Sequence, residues 1–308
     1  CIRDSPGSVV TSSFGGASSE QSRVLWDGID ISSMASGVLD LSLVPASMLS
    51  SSALYNGING GAIAPMGSVG ALNLTATIPK GRGTSTLFSA SSIGDRGFFG
   101  HSWGNIGTVR YQSSLRSTLG TNNYPYTIGN LSGTLNGNSF NDLTYLQSFQ
   151  GKLSRWNWQS TLWYTQSEKD NSGSVLTPNY INHLEDEMLR FKYALRNRSN
   201  QWQVYLSREW QAYTDTNSSW IIQDTNRYSQ ATLQYSYRKE YQELFLTANY
   251  FSADGSNRNA HAFLPHALYN LRLSKKDKVV LKGAGYQNNA RVGACLLYTS
   301  DAADDGLS

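Results

Sequence analysis

Long apolar runs, charged residues, histidine and cysteine are all scarce in this chain of 308 residues. Charged residues make up 15% of the chain, whereas an average soluble domain has about 25%. A helical membrane protein is excluded, because no apolar run reaches the roughly 18 residues that a spanning helix needs. A coiled coil is also excluded, because no apolar repeat of about 3.5 residues is sustained.

Aromatic residues and glycine are abundant instead. The chain has 28 Gly, 18 Tyr, 10 Phe and 8 Trp, and its mean hydropathy is −0.39. So many aromatic residues exclude a disordered chain, since they allow apolar surface to be buried. A polar chain with few charges and many aromatics favours extended strands with one polar and one apolar face. The length suits two domains or one large barrel.

Both ends of the chain resemble the translation of a transposase-type sequencing-library adapter. Residues 1–5 read CIRDS, and residues 295–308 begin CLLYTSDAADD. We therefore expect both segments to be adapter-derived and the native segment to be a fragment; the alternative for the second is a genuine acidic tail. Because Cys1 and Cys295 lie in these ends, the remainder can form no disulfide. Its net charge becomes +6, which is moderate and dispersed and does not indicate a nucleic-acid partner.

Polar and apolar residues alternate over segments of about ten residues after residue 83, which is the period of a β-strand. Leu143 and Tyr145, for example, alternate with Thr144. Turn signals separate these segments, and we expect about eleven strands between residues 84 and 290.

Short and long connections alternate between the expected strands. Short turns are expected near residues 104–105, 155–157, 198–200, 239–240 and 275–277, and long polar links at about 119–142, 170–185, 214–226 and 252–265. Short turns at one end and long loops at the other are typical of an outer-membrane barrel, whose strands of roughly 9–11 residues cross the bilayer. A soluble β-sandwich or a periplasmic β-solenoid would also show alternation and remains the alternative.

Residues before the barrel carry motifs of a known family. Residues 24–29, VLWDGI, resemble the "VLxDG" strand and turn of the plug domain in TonB-dependent outer-membrane receptors, and residues 40–45, DLSLVP, resemble its "DLSxxP" segment. Residues 52–57 and 66–74 are similar to the stretch that closes the plug. The resemblance implies an all-β membrane protein with a small α+β plug domain at residues 6–80, truncated at its N-terminus. Residues 81–294 would then form about half of a 22-stranded antiparallel transmembrane β-barrel, truncated at its C-terminus.

The same resemblance implies a function. Such a receptor sits in the outer membrane of a Gram-negative bacterium, among lipopolysaccharide, and imports a scarce nutrient by energised displacement of the plug. The nutrient would be a small ligand, cobalamin-like or chelated iron such as a siderophore. The energising partner would be the TonB complex, whose Ton box lies upstream of this segment in the family. The alternative is a structural or adhesive barrel that transports nothing.

Two plug loops are the candidate ligand contacts. They comprise Ser32, Ser33, Met34, Ala35 and Ser36 after the first expected hairpin, and Asn56, Gly57, Ile58 and Asn59. Binding residues concentrate on loops, although the same residues could be ordinary turns. The small, neutral first loop indicates a bulky ligand held by shape and hydrogen bonds, because a multi-anionic ferric chelate would need converging Arg or Lys residues. In the family, the plug loop just before the DLSxxP segment reaches cobalamin, and the short loop here looks similar. The resemblance thus implies a cobalamin-like ligand, with chelated iron kept as the other possibility.

Catalytic and metal-binding signals are weak. His261 and His266 are interpreted as exposed loop histidines, and the acidic run at residues 185–187 as a solvated strand entrance and not a calcium site. No nucleophile and base motif occurs, so an outer-membrane hydrolase is not supported. We expect no enzyme activity, no metal and no cofactor.

Overall fold

A computed structural model describes thirteen segments of the chain, and every structural statement below refers to them. They are residues 9–13, 18–45, 49–56, 69–92, 94–121, 123–129, 131–135, 137–172, 181–215, 222–255, 259–272, 278–288 and 292–301. Strands dominate these segments. Within them, no helix combines the length and apolar character needed to span a membrane.

A small sheet forms the N-terminal part of the molecule. Its strands are β1 (Ser22–Trp26), β2 (Ile29–Asp30), β3 (Leu49–Asn56) and β4 (Gly70–Ala76). They lie in the order β2-β1-β4-β3, with β1 and β4 parallel and the other pairs antiparallel. Two 3-10 turns, Ser19–Gln21 and Leu41–Leu43, are the only helical elements of this described region. The predicted plug is therefore mainly a mixed β-sheet.

The first hairpin of this sheet closes at the predicted Asp27-Gly28 pair. Both residues have positive φ angles, 49° at Asp27 and 85° at Gly28, which a tight hairpin turn requires. The turn is fixed to the neighbouring strand, because the Gly28 N–H donates to Asn73 Oδ1 at 2.8 Å. Sequence and local geometry therefore agree on this turn.

A second, larger sheet makes a curved wall of twelve antiparallel strands. They are β5 (Gly83–Ala90), β6 (Arg96–Ile106), β7 (Val109–Gly120), β10 (Phe140–Leu153), β11 (Trp156–Ser172), β12 (Ile181–Arg196), β13 (Asn200–Asp215), β14 (Ile222–Lys239), β15 (Gln242–Gly255), β16 (Asn259–Arg272), β17 (Lys278–Asn288) and β18 (Val292–Asp301). Each strand pairs with the next in this order. A separate hairpin, β8 (Tyr124–Ile128) and β9 (Leu131–Leu135), lies in the link between β7 and β10.

The large sheet has eleven strands up to Asn288, the number expected between residues 84 and 290, and β18 adds a twelfth. This last strand pairs with β17 and covers part of the end that the sequence predicts to be adapter-derived. Several strands are longer than predicted, since β11 has 17 residues and β14 has 18, whereas β6 and β17 have 11 each, within the predicted range. Strands continue into the links that we expected to be loops, because backbone groups there still find hydrogen-bond partners on the neighbouring strand.

Turn positions agree with the predicted pattern except at one place. The first short turn lies at Gly107-Thr108 and not at Gly104-Asn105, which belong to β6. Gly107 has a φ of 60°, a conformation that glycine adopts at little cost. The predicted short turn at residues 275–277 lies outside the described residues.

The two faces of the large sheet differ as the alternation predicts. On the concave face polar side chains are buried, with Gln112 and Ser148 at 0% exposure and Gln203 at 1%. On the convex face large apolar side chains are exposed, with Leu206 at 46% and Leu233 at 48%. An apolar outer face and a polar inner face are the arrangement of a transmembrane barrel wall.

The small sheet packs against the concave face of the large one. Trp26 of the small sheet and Trp163 of β11 meet edge to face, with ring centroids 5.4 Å apart and planes at 84°. Leu146 and Tyr205 of the wall join the same buried cluster as Ile29 and its neighbours. The small sheet therefore lies where a barrel would have its lumen, as expected of a plug.

Candidate functional site

Two buried cations of β12 hold the first hairpin of the plug against the wall. The Lys192 ammonium contacts the Asp27 carboxylate and lies 4.0 Å from the centroid of the Trp26 ring. The Arg190 guanidinium donates to the Ile31 carbonyl of the plug at 3.2 Å and lies 4.7 Å from the centroid of the Trp163 ring. Both cations are 1% exposed, so the aromatic faces and the carboxylate replace the water that they lose. This arrangement forms the first anchor between plug and wall.

The DLSLVP motif forms a second anchor. Asp40 caps the turn that follows it by accepting the Ser42 N–H at 2.9 Å, and it also accepts the Val10 N–H at 3.0 Å. Its other oxygen pairs with the Lys169 ammonium of β11 at 2.6 Å. Thr144 of β10 adds a bond, donating its hydroxyl to the Leu43 carbonyl at 3.2 Å. The motif therefore both shapes a turn and attaches it to the wall.

The candidate loop after β2 is a tight turn fixed to β13. Glu209 accepts the Ser33 hydroxyl on one carboxylate oxygen and the Met34 N–H on the other, the latter at 3.0 Å. The Ser33 hydroxyl also accepts the N–H groups of Ala35 at 3.1 Å and Ser36 at 3.2 Å. All five predicted contact residues of this loop, Ser32 to Ser36, thus have backbone or side-chain groups hydrogen-bonded within the protein.

The second candidate loop begins at the same end of the plug sheet. Asn56 of β3 pairs with Gly70 of β4, and Gly70 pairs with Ser22 at the start of β1. The first loop reaches the same end, because the Arg23 guanidinium donates to the Gly37 carbonyl. Glu209 belongs to the half of β13 that leads to a long connection, so this end faces the side of the long links. Residues 57–59, the predicted contacts Gly57, Ile58 and Asn59, lie outside the described residues.

A cavity of about 790 Å³ separates the first loop from strands β14 to β17. Of the predicted contacts, Ser32, Ser33 and Met34 line it, whereas Ala35 and Ser36 do not. The wall contributes aromatic, amide and hydroxyl side chains that were not predicted as ligand contacts: Tyr228, Gln230, Thr232, Gln234, Phe245, Thr247, Asn249 and Phe251. These residues occupy every second position of β14 and β15, on the inward face. The alternation of polar and apolar residues along those two strands was the sequence signal that could have identified them.

The charged groups on the cavity wall form one opposed pair. Arg23 Nη1 lies 3.8 Å from Asp30 Oδ2, and Asp30 Oδ1 accepts the Ser32 N–H at 2.9 Å. Burial raises the pKa of the Asp30 carboxyl, and the Arg23 charge opposes that shift. The cavity is therefore close to neutral and offers hydrogen-bonding groups beside apolar rings.

The histidines near this cavity differ from the prediction. His261 and His266 lie in strand β16 and not in a loop, because β16 extends through the expected link. His261 Nδ1 and the Tyr250 hydroxyl are 3.0 Å apart, so this imidazole takes part in a contact between strands. Across the described segments, His, Cys, Asp and Glu residues form no cluster of three that could hold a metal ion.

Comparison with known proteins finds similarity in structure only. Neither a protein-family model nor a curated protein matches the sequence. Solved structures do match, including a mutant of the ferric enterobactin receptor of Pseudomonas aeruginosa, at a TM-score of 0.63 and 13% identity over 91% of this chain and 51% of that chain. The siderophore receptor PirA of Acinetobacter baumannii matches at 0.68 and 11%, over 92% and 52%. The copper transporter OprC matches at 0.61 and 11%, over 91% and 51%.

These matches define the architecture of the chain. It has the plug-and-barrel fold of the TonB-dependent outer-membrane receptors, which confirms the predicted fold class and the resemblance read from residues 24–29 and 40–45. The chain spans about half the length of the receptors that it matches.

Proposed function

We propose that this chain supplies the plug and about half of the barrel of a TonB-dependent transporter in a Gram-negative outer membrane. The transporter imports a small, scarce nutrient by energised displacement of the plug. The observation that carries the proposal is a folded plug fixed in the concave face of the wall, with a cavity beside its loop at the long-link end. A purely structural or adhesive barrel has no need of such a plug.

The contacts between plug and wall suit a plug that must move. Besides the tryptophan cluster and charged contacts such as those of Lys169 and Glu209, the wall presents amides to the plug. Gln159 donates to the Ala76 carbonyl at 3.4 Å, and Gln230 donates to the Asp30 carbonyl at 3.5 Å. Water can replace such bonds when the plug leaves, so their net contribution is about 1 kcal/mol each. Energised pulling then has to overcome mainly the apolar cluster and the ion pairs.

The cavity favours a bulky ligand without a large net charge. Its charged groups are the Arg23 and Asp30 pair, whereas a multi-anionic ferric chelate would require several converging cations. Its aromatic and amide groups suit a large neutral ligand held by shape and hydrogen bonds, so a cobalamin-like compound is our first candidate. The names of the matched receptors point instead to siderophores and copper, and chelated iron is the second candidate.

The proposed partners are those that a TonB-dependent transporter in the outer membrane requires. The TonB complex would engage a Ton box upstream of residue 6, and the exposed apolar face of β11 to β15 would contact the lipid and lipopolysaccharide of the outer membrane. No nucleic-acid partner is proposed, because the charge is small and dispersed.

Uptake by cells tests the proposal. The full-length receptor is expressed in a Gram-negative host that lacks its own cobalamin and enterobactin receptors, with and without TonB. Labelled cyanocobalamin, ferric enterobactin and copper ion serve as probes. We expect saturable binding of one probe at micromolar concentration in both strains, and accumulation only when TonB is present. Binding without TonB-dependent accumulation would favour the adhesive alternative, and failure of cyanocobalamin alone would remove the cobalamin assignment.

A further inference from the structure

Glu209 is a buried carboxylate whose hydrogen-bond partners, within the described part of the chain, come from the plug loop. It is 3% exposed, and its two oxygens accept the Ser33 hydroxyl and the Met34 N–H. No Lys, Arg or His of the described segments forms an ion pair with it. A buried carboxylate without a cation is costly unless hydrogen bonds satisfy it, so the loop donors are what make this position tolerable.

The conformation of the loop depends in turn on Glu209. The Ser33 hydroxyl donates a hydrogen bond to Glu209 and accepts the N–H groups of Ala35 and Ser36. The carboxylate of Glu209 therefore sets the orientation of a hydroxyl that takes part in three hydrogen bonds. Gly37 closes the turn, since its N–H donates to the Ser33 carbonyl at 2.9 Å and its φ of 73° reverses the chain. Without the carboxylate, the hydroxyl is free to rotate and the turn loses its attachment to β13.

Glu209 itself does not line the cavity, whereas Ser32, Ser33 and Met34 do. The side chain therefore acts on the cavity through the loop. We propose that Glu209 is a positioning residue that holds the turn at residues 33–37 in the conformation that faces the ligand. Only the description of the cavity as a ligand site rests on the proposed function; the positioning role can be tested without any ligand.

A purely structural role would give a different result from a positioning role. If Glu209 merely stabilised the wall, its loss would loosen β13 and its neighbours together with the plug. If it positions the loop, its loss frees residues 31–38 and leaves the strand pairing of β12 and β13 intact, because that pairing runs through backbone groups from Asn182↔Asp215 to Arg196↔Gln201.

Hydrogen–deuterium exchange of the full chain in detergent micelles separates the two roles. Glu209→Gln and Ser33→Ala should each raise the amide exchange rate of residues 31–38 about tenfold, since each removes a hydrogen bond to a charged group. Ser33→Thr keeps the hydroxyl and should retain most of the protection. Glu240→Ala removes the same charge from an exposed turn at the opposite end and serves as the matched control, with no change expected.

A small carboxylate in solution provides an independent test. In Glu209→Ala, sodium formate should restore protection of residues 31–38, whereas sodium chloride at the same ionic strength should not. Unchanged exchange at residues 31–38 in both Glu209→Gln and Ser33→Ala would overturn the positioning role, as would an equal rise in residues 181–196. Loss of probe uptake in the wild-type chain would count against the proposed transport and would leave these exchange results untouched.

Discussion

The two faces of strands β11 to β14 lie in opposite environments, although their residues alternate along the same strands. The inner face meets a folded plug, and it buries polar and charged groups such as Arg190, Lys192 and Gln203. The outer face presents leucines, with Leu189 at 45% exposure and Leu206 at 46%. Burial and polarity are therefore inverted relative to a soluble sheet, which indicates that the plug replaces water inside and that lipid replaces it outside.

The largest effect is expected on the inner face, where the tryptophans meet. Trp163→Ala removes the ring that packs against Trp26 and that lies under the Arg190 guanidinium. We expect a loss of about 4 kcal/mol in the free energy of unfolding, as for other large aromatic truncations in a packed interior. Guanidinium unfolding of the refolded chain, followed by tryptophan fluorescence, measures it. If the free energy of unfolding fell only as little as it does on substitution of an exposed residue, the plug would not pack against Trp163.

Lys192 tests whether the inner-face charges act as pairs. Lys192→Ala leaves the Asp27 carboxylate without its cation, and we expect a cost of about 3 kcal/mol. The double change Lys192→Met with Asp27→Asn removes both charges and should recover most of the stability, because no unpaired charge is then left buried. Equal instability of the single and double variants would contradict the pairing.

A charged side chain should destabilise the protein on the outer face, although the inner face buries such side chains. Leu206→Arg places a guanidinium among exposed apolar side chains, and we expect a cost of about 2 kcal/mol in lipid bilayers. Val204→Leu, two residues away on the same face, is the matched control and should be nearly neutral. Tolerance of arginine at 206 in bilayers would argue for a water-exposed outer face and thus for the soluble alternatives.

Asp30 makes a smaller, pH-dependent contribution at the cavity. Because its folded-state pKa is raised, ionisation of this carboxyl opposes folding. Its destabilising effect is absent below the unfolded pKa and fully present once the pH has risen above the folded pKa. Asp30→Asn should therefore be more stable than the wild type near neutral pH, and the difference should vanish in acid. Thermal unfolding across that range checks this expectation, and a difference that grows in acid would reverse its sign.

The smallest effect is expected at the short turn between β14 and β15. Arg238 and Glu243 form an ion pair at 2.8 Å there, but the Arg238 side chain is 79% exposed. Exposed pairs contribute at most about 1 kcal/mol, so Arg238→Ala should change the unfolding midpoint only slightly. A large loss would show that the turn carries contacts beyond the ion pair.

The difference between the two faces could be predicted largely from the sequence, whereas the contacts that anchor the plug to the wall could not. Period-two alternation identified which side chains of β10 and β11 point outward, and the Asp27-Gly28 pair identified the hairpin turn. Strand ends were misplaced because alternation alone does not mark where a pairing partner ends. Glu209 and Lys192 looked like ordinary polar positions, since their roles arise from plug residues more than 160 positions earlier in the chain.

The most direct test of the account is a scan of residues 203–207 with nitroxide spin labels in lipid vesicles. Gln203 and Tyr205 are buried on the plug side of β13, whereas Val204 and Leu206 are exposed on the side expected to meet lipid. Oxygen, which concentrates in lipid, should therefore relax the labels at 204 and 206 strongly and those at 203 and 205 weakly. Uniform accessibility along the strand, or maxima at 203 and 205, would contradict a plugged wall that spans a membrane.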